Sequence, residues 1–166
     1  MPEVSAADPD RDAVYLAEHR LEAALELLPS GGEVTAFGRV LRLEQAQEFT
    51  TLAAAQGFAT LTCIELGEPP VTVAHARGQT RSSYVPGSTD NESPATIRLA
   101  HWGGTRVTLC HELAHHLTRG STPAHGAPFR AALLRLLVHC GAPGQAEWLR
   151  LAWAEAGLSL VGSTVP

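Results

Sequence analysis

Several features that would classify a chain at once are missing here. The three cysteines, Cys63, Cys110 and Cys140, are odd in number and form no CxxC pair, which excludes a disulfide framework and a zinc ribbon and leaves them as buried thiols. Twelve basic residues stand against seventeen acidic ones, for a net charge of −5, and no Lys/Arg cluster is present to neutralise a phosphate backbone, so nucleic acid is not an expected partner. The N-terminus lacks the basic stretch and apolar core of a secretory signal, and no apolar run approaches the length of a membrane span. No membrane partner is expected, and a reducing, cytoplasmic setting is the default. Internal repeats and linkers are absent as well.

What remains is the composition of a globular protein, 45% hydrophobic and 17% charged, unlike the apolar-poor, charge-rich make-up of disordered chains. A chain of 166 residues can bury roughly two thirds of its unfolded surface without a covalent staple. One domain spanning residues 1–166 is expected, with residues 1–8 frayed.

Hydrophobic spacing places the elements. Val14, Leu21, Leu25 and Leu28 recur at helical intervals between about Asp8 and Leu28, which predicts a first helix ended by Pro29-Ser30-Gly31-Gly32. A short apolar piece runs from Val34 to Leu41. The Ala-, Leu-, Glu- and Gln-rich segment from Leu43 to Gln56 then predicts a second helix closed by Gly57. Alternation in Pro69–Gly78 and in Ala95–Ala100 predicts two strands. Between them the polar stretch Gln79–Pro94 reads as a surface excursion, with at most a short strand around Ser82–Val85, that is either a hairpin tip or a substrate-lining loop. Further helices are expected from Thr105 to about Thr118, Pro128 to Cys140 and Gly144 to Ala156. This is an α+β pattern, helices packed on a small mixed sheet.

The chemistry lies in "LCHELAHHLTRGSTPAHGAPF", Leu109 to Phe129, which holds four of the eight histidines. His111 and His115, four apart on a helix, project from one face a turn apart, close enough to grip one ion. A catalytic zinc takes three protein ligands and keeps one position open, and His125, after a chain-turning Gly120-Ser121-Thr122-Pro123, supplies the third. Glu112 is rotated by roughly 100° from His111, beside the ion without ligating it, where it can act as general base to a zinc-activated water. Leu109, Leu113 and Leu117 form an apolar stripe that anchors the helix while the other face presents the ligands. The competing reading is a solvated helix that is merely rich in histidine.

HExxH patterns with other third ligands do not fit. The metzincin pattern needs Gly and His where this chain has Thr118 and Ser121, and no acid occurs between Glu112 and Glu147 to serve as a thermolysin-type ligand.

"HELAHHL" followed by "PAHGAPF" resembles a small actinobacterial family of zinc metallohydrolases and, more distantly, SprT-type metallopeptidases, whose HExxH helix is followed by an HGxxF segment. The likeness covers about Gln79 to Gly157, including "LRLAWAEAGL". The resemblance implies a zincin-like fold in which the strand before the active helix borders the substrate, His111, His115 and His125 as ligands to one Zn2+ per chain, and Glu112 as catalytic acid/base. The chain departs from the DNA-repair SprT proteins in having no C-terminal zinc ribbon and no basic patch.

Smaller expectations attach to other residues. His116 is expected to pair with Glu112 or to be solvated. His101 and Tyr84 are candidates for steadying a transition state, with a plain turn residue as the alternative for His101. Phe129 is expected to fix the loop of the third ligand, and Trp148 and Trp153 to pack the last helix onto the core. The leading function is a zinc-dependent metallopeptidase acting on a peptide or protein. The alternatives are a catalytically silent zincin scaffold that binds a peptide or protein, and a regulatory protease dedicated to one intracellular protein.

Overall fold

The computed structural model describes residues 8–88, 93–100 and 104–160. In chain order its elements are α1 (Arg11–Leu27), β1 (Gly32–Ala36), β2 (Arg39–Leu43), β3 (Glu48–Phe49), α2 (Leu52–Leu66), β4 (Val71–His75), β5 (Ser83–Val85), β6 (Ala95–Leu99), β7 (Gly104–Thr105), α3 (Arg106–Leu117), α4 (Ala127–His139) and α5 (Pro143–Glu155). The fold is α+β, as the alternation of periods implied. No described helix is long and apolar enough to cross a membrane.

The chain divides into two compact units, one of residues 1–45 with 120–166 and the other of residues 46–119. In the first unit α1 buries Val14, Ala17, Leu21 and Leu25, the stripe that its 3.6-residue period predicts. β1 and β2 form an antiparallel hairpin in which Ala36 pairs with Arg39. Its two connecting residues, Phe37 and Gly38, both have positive φ, the turn whose twist matches that of the strands it joins. Phe37 has no glycine-like freedom there, and its ring packs edge-on against Trp148 at 5.1 Å. Trp148 and Trp153 are both buried on α5, in keeping with the packing role expected of them.

The helix expected over Leu43 to Gln56 forms only from Leu52 onward. Leu43 pairs with Gly32 in the hairpin. The Glu44 backbone is gripped from both sides by Gln145, whose Nε2 donates to Glu44 O and whose Oε1 accepts from Glu44 N. The Glu44 carboxylate in turn accepts from Gly144 N at 2.8 Å, placing an acid at the N-terminus of a helix that has no side-chain cap of its own. Tertiary partners thus override the helix propensity of Leu43–Gln47. The real helix, α2, starts where Thr51 caps Ala54 N and ends at Gly67 in the left-handed region, so Gly57 lies inside it.

In the second unit β4 pairs in parallel with β6, and β5 pairs antiparallel with the other edge of β6, giving a three-stranded mixed sheet in the order β4-β6-β5. β5 is the short strand expected inside the polar excursion. α2 packs on β4 and buries Ala55, Ala59 and Cys63. Gln56 ties the two together, with Nε2 donating to Val71 O at 2.9 Å and Oε1 accepting from Val73 N at 2.7 Å. β3 pairs with β7, which delivers the chain directly into α3. Cys63 and Cys110 are buried as expected, but Cys140, at the C-terminus of α4, is only partly so.

Candidate metal centre

α3 begins where the sequence placed it. The Thr105 side chain accepts from Thr108 N, and Arg106 is fixed by Gln47 through both its backbone N and its Nε, each at 2.8 Å. A helix with one apolar stripe would leave its other face wet, but α3 buries Val107, Leu109, Cys110, His111, Glu112, Leu113, Ala114 and His116. Leu109 and Leu113 are buried as the expected stripe requires, and the face bearing His111 and Glu112 is enclosed as well. A solvated histidine-rich helix does not describe it.

His111 and His115 bring their Nε2 atoms to 3.2 Å, with the rings inclined at 71°. Two ligand nitrogens at about 2.0–2.1 Å from a tetrahedral ion stand about 3.3 Å apart, so the pair already has the spacing of two corners of such a site. His125 joins them. One nitrogen from each of the three imidazoles lies within 4.8 Å of the others, a group able to hold a metal ion. His111 and His125 are buried, and His115 is partly exposed.

His125 sits just before α4, in a turn closed by Gly126 N donating to Pro123 O. Its ring meets Phe129 edge-on at 4.8 Å and Tyr15 at 5.3 Å, so Phe129, fully buried, steadies the loop as expected. Nδ1 lies 2.5 Å from Asp8 Oδ2, and the His125 carbonyl accepts from Arg130 Nη1 at 2.8 Å. Arg130, also buried, reaches Asp10 Oδ2 at 2.6 Å through Nη1 and the Ser159 carbonyl through Nη2. Sequence reasoning missed Asp8, Asp10 and Arg130. Asp8 fell in the stretch expected to be frayed, and nothing local links either acid to a histidine over a hundred positions away.

Glu112 is 4% exposed, set on α3 between His111 and His115. His116 requires a correction. It neither pairs with Glu112 nor meets solvent: at 1% exposure, its Nε2 donates to Pro69 O at 2.9 Å and its Nδ1 lies 3.1 Å from the Tyr84 hydroxyl. A carbonyl only accepts, so the ring proton is on Nε2 and Tyr84 donates to Nδ1. Burial pushes the Tyr84 phenol up, against a smaller opposing pull from Arg119. His101 lies outside the described residues.

No family model matches the chain, and neither the curated proteins nor the solved structures yield a significant match. The functional reading therefore stands on the site itself. Three imidazoles without a thiolate are a donor set for zinc, copper, iron or nickel rather than for calcium or magnesium.

Proposed function

We propose that the protein is a zinc-dependent hydrolase of zincin-like architecture acting on peptide bonds, with His111, His115 and His125 as the ligands and Glu112 as the catalytic base. The observation that carries the proposal is the approach of three imidazole nitrogens to within 4.8 Å of one another, around a helix that also bears a buried, non-ligand carboxylate. Zinc is favoured over the other ions that suit imidazole by the HExxH setting, in which two helical histidines bracket a glutamate. When bound, the ion supplies Lewis acidity and makes water a usable nucleophile near neutral pH.

The rest of the mechanism belongs to the chain. His111, His115 and His125 would hold the ion and leave it open to water and substrate. Glu112 takes the proton of the attacking water and returns it to the departing amine, the role of a positioned general base that then serves as general acid. Its burial keeps bulk water from competing for that proton. A purely structural metal site has no use for such a carboxylate, which favours the enzyme over a silent binding scaffold.

The test is a matched comparison of wild type and Glu112→Gln for zinc content and for turnover of substrates found with a library of unfolded proteins. The expected result is one zinc per chain in both and a loss of about 10²-fold or more in turnover for the variant. Equal turnover at equal zinc content would refute Glu112 as the base. Partner binding without hydrolysis in either protein would replace the enzyme with a binding module.

A further inference from the structure

His125 is held from behind by a carboxylate. Asp8 Oδ2 stands 2.5 Å from Nδ1, and an ionised carboxylate can only accept, so the ring proton sits on Nδ1 and Nε2 keeps its lone pair. We propose that Asp8 is a positioning residue of the metal site, fixing His125 in the Nδ1–H tautomer with Nε2 available to the ion. This rests on the reading of His111, His115 and His125 as metal ligands.

Three further observations support the assignment. The ring cannot turn freely, because Phe129 and Tyr15 pack against it at 4.8 and 5.3 Å. The two segments are also clamped by one side chain: Arg130 binds the His125 carbonyl and the Asp10 carboxylate through the same Nη1, which holds the stretch carrying Asp8 against the loop carrying His125. Lastly, Asp8 Oδ1 is buried without a hydrogen-bond partner among the described residues. Burying an unmatched acceptor is costly, which leaves the bond from Oδ2 to the imidazole as the described interaction that holds an acid here. Its one described side-chain contact is with the imidazole, and a carboxylate hydrogen-bonded to a ligating histidine both orients the ring and makes it a better donor.

The experiment compares Asp8→Asn, Asp8→Ala, Asp10→Asn and His125→Ala by three readouts: zinc affinity by competition with a chelator, melting of the metal-free proteins, and the His125 tautomer in metal-free wild type by nitrogen-15 NMR. The Asp8 variants should bind zinc about 10- to 100-fold more weakly than wild type, and more weakly than Asp10→Asn, which loosens the clamp without touching the ring. Metal-free wild type should show the proton on Nδ1. If Asp8→Ala does not fold, the near-isosteric Asn variant and the wild-type tautomer still decide the matter. Wild-type zinc affinity in Asp8→Asn, with affinity lost in His125→Ala, would overturn the role of Asp8 and leave the metal site standing. So would an Nε2–H tautomer in the metal-free protein. Undiminished zinc binding in His111→Ala and His125→Ala would overturn the site itself.

Discussion

The Tyr84 hydroxyl donates to His116 Nδ1 across 3.1 Å while the opposite edge of the same ring donates to the Pro69 carbonyl across 2.9 Å. One buried imidazole thereby joins β5, α3 and the segment leading into β4, using both of its nitrogens for structure. That sets His116 apart from the neighbouring His115, whose Nε2 faces another imidazole, and the two should answer differently to substitution.

Removing His116 should cost stability and leave the metal in place. His116→Ala strands the Tyr84 hydroxyl and the Pro69 carbonyl, at about 1–3 kcal/mol for a buried group left unmatched, whereas His125→Ala removes a proposed ligand. Chelator competition should find near-normal zinc affinity in folded His116→Ala and a large loss in His125→Ala. Equal affinities would mean that His125 is not the third ligand.

Zinc should stabilise the fold, because the three donors converge only in the folded chain. At a free concentration of about 1,000 times the dissociation constant the gain is about 4 kcal/mol, which for a protein of this size raises the melting temperature by about 10 °C. Melting with and without a strong chelator measures it. A triple His111/His115/His125→Ala variant should lose the difference, and a zinc-dependent shift persisting in that variant would place the metal elsewhere.

Two glycines should respond with opposite signs. A Cβ at Gly144 would stand 1.9 Å from the Arg42 carbonyl oxygen, where α5 meets the strand end, so Gly144→Ala should destabilise by about 1–3 kcal/mol. Gly57 lies inside α2, exposed, with nothing within 4 Å of its would-be Cβ. Gly57→Ala should therefore stabilise by about 0.5–1 kcal/mol through helix propensity. Denaturant unfolding of both variants checks the pair, and equal signs would contradict the packing described.

Stability should also depend on Glu22. Burial, and then the neighbouring Glu18 charge, raise its carboxyl above the usual glutamate range, with His19 pulling the other way. A carboxyl whose pKa is raised by folding contributes stability below its unfolded pKa, and that contribution is lost as pH rises through the folded value. Glu22→Gln should thus melt higher than wild type at pH 7, with the advantage shrinking as pH falls below the glutamate range. An advantage that grows toward acid pH would reverse the assignment.

Much of this protein can be read locally. The stripe of Val14, Leu21 and Leu25 specified α1, the alternation of Val71 and Val73 specified β4, and Thr105 with the following pattern specified α3, because each signal lies within one or two turns of chain. The cluster of three histidines was legible for the same reason: a four-residue spacing on a helix fixes two donors, and a short turn limits where His125 can go. What local signals could not give was set by partners far away in sequence. Leu43–Gln47 has the composition of a helix, yet Gln145 and Gly144 hold Glu44 in an extended path, since two backbone hydrogen bonds and a helix-end contact outweigh a propensity of a few tenths of a kcal/mol per residue. His116 read as a partner of Glu112 or a solvated side chain, but Pro69 and Tyr84 claim both of its nitrogens. Asp8 sat in an apparently frayed start, and only the folded chain, clamped by Arg130, brings its carboxylate to His125. The sequence by itself determined which side chains can bind a metal; the tertiary structure decided which acids and carbonyls hold those side chains, because a hydrogen bond depends on distance in space and not on separation along the chain.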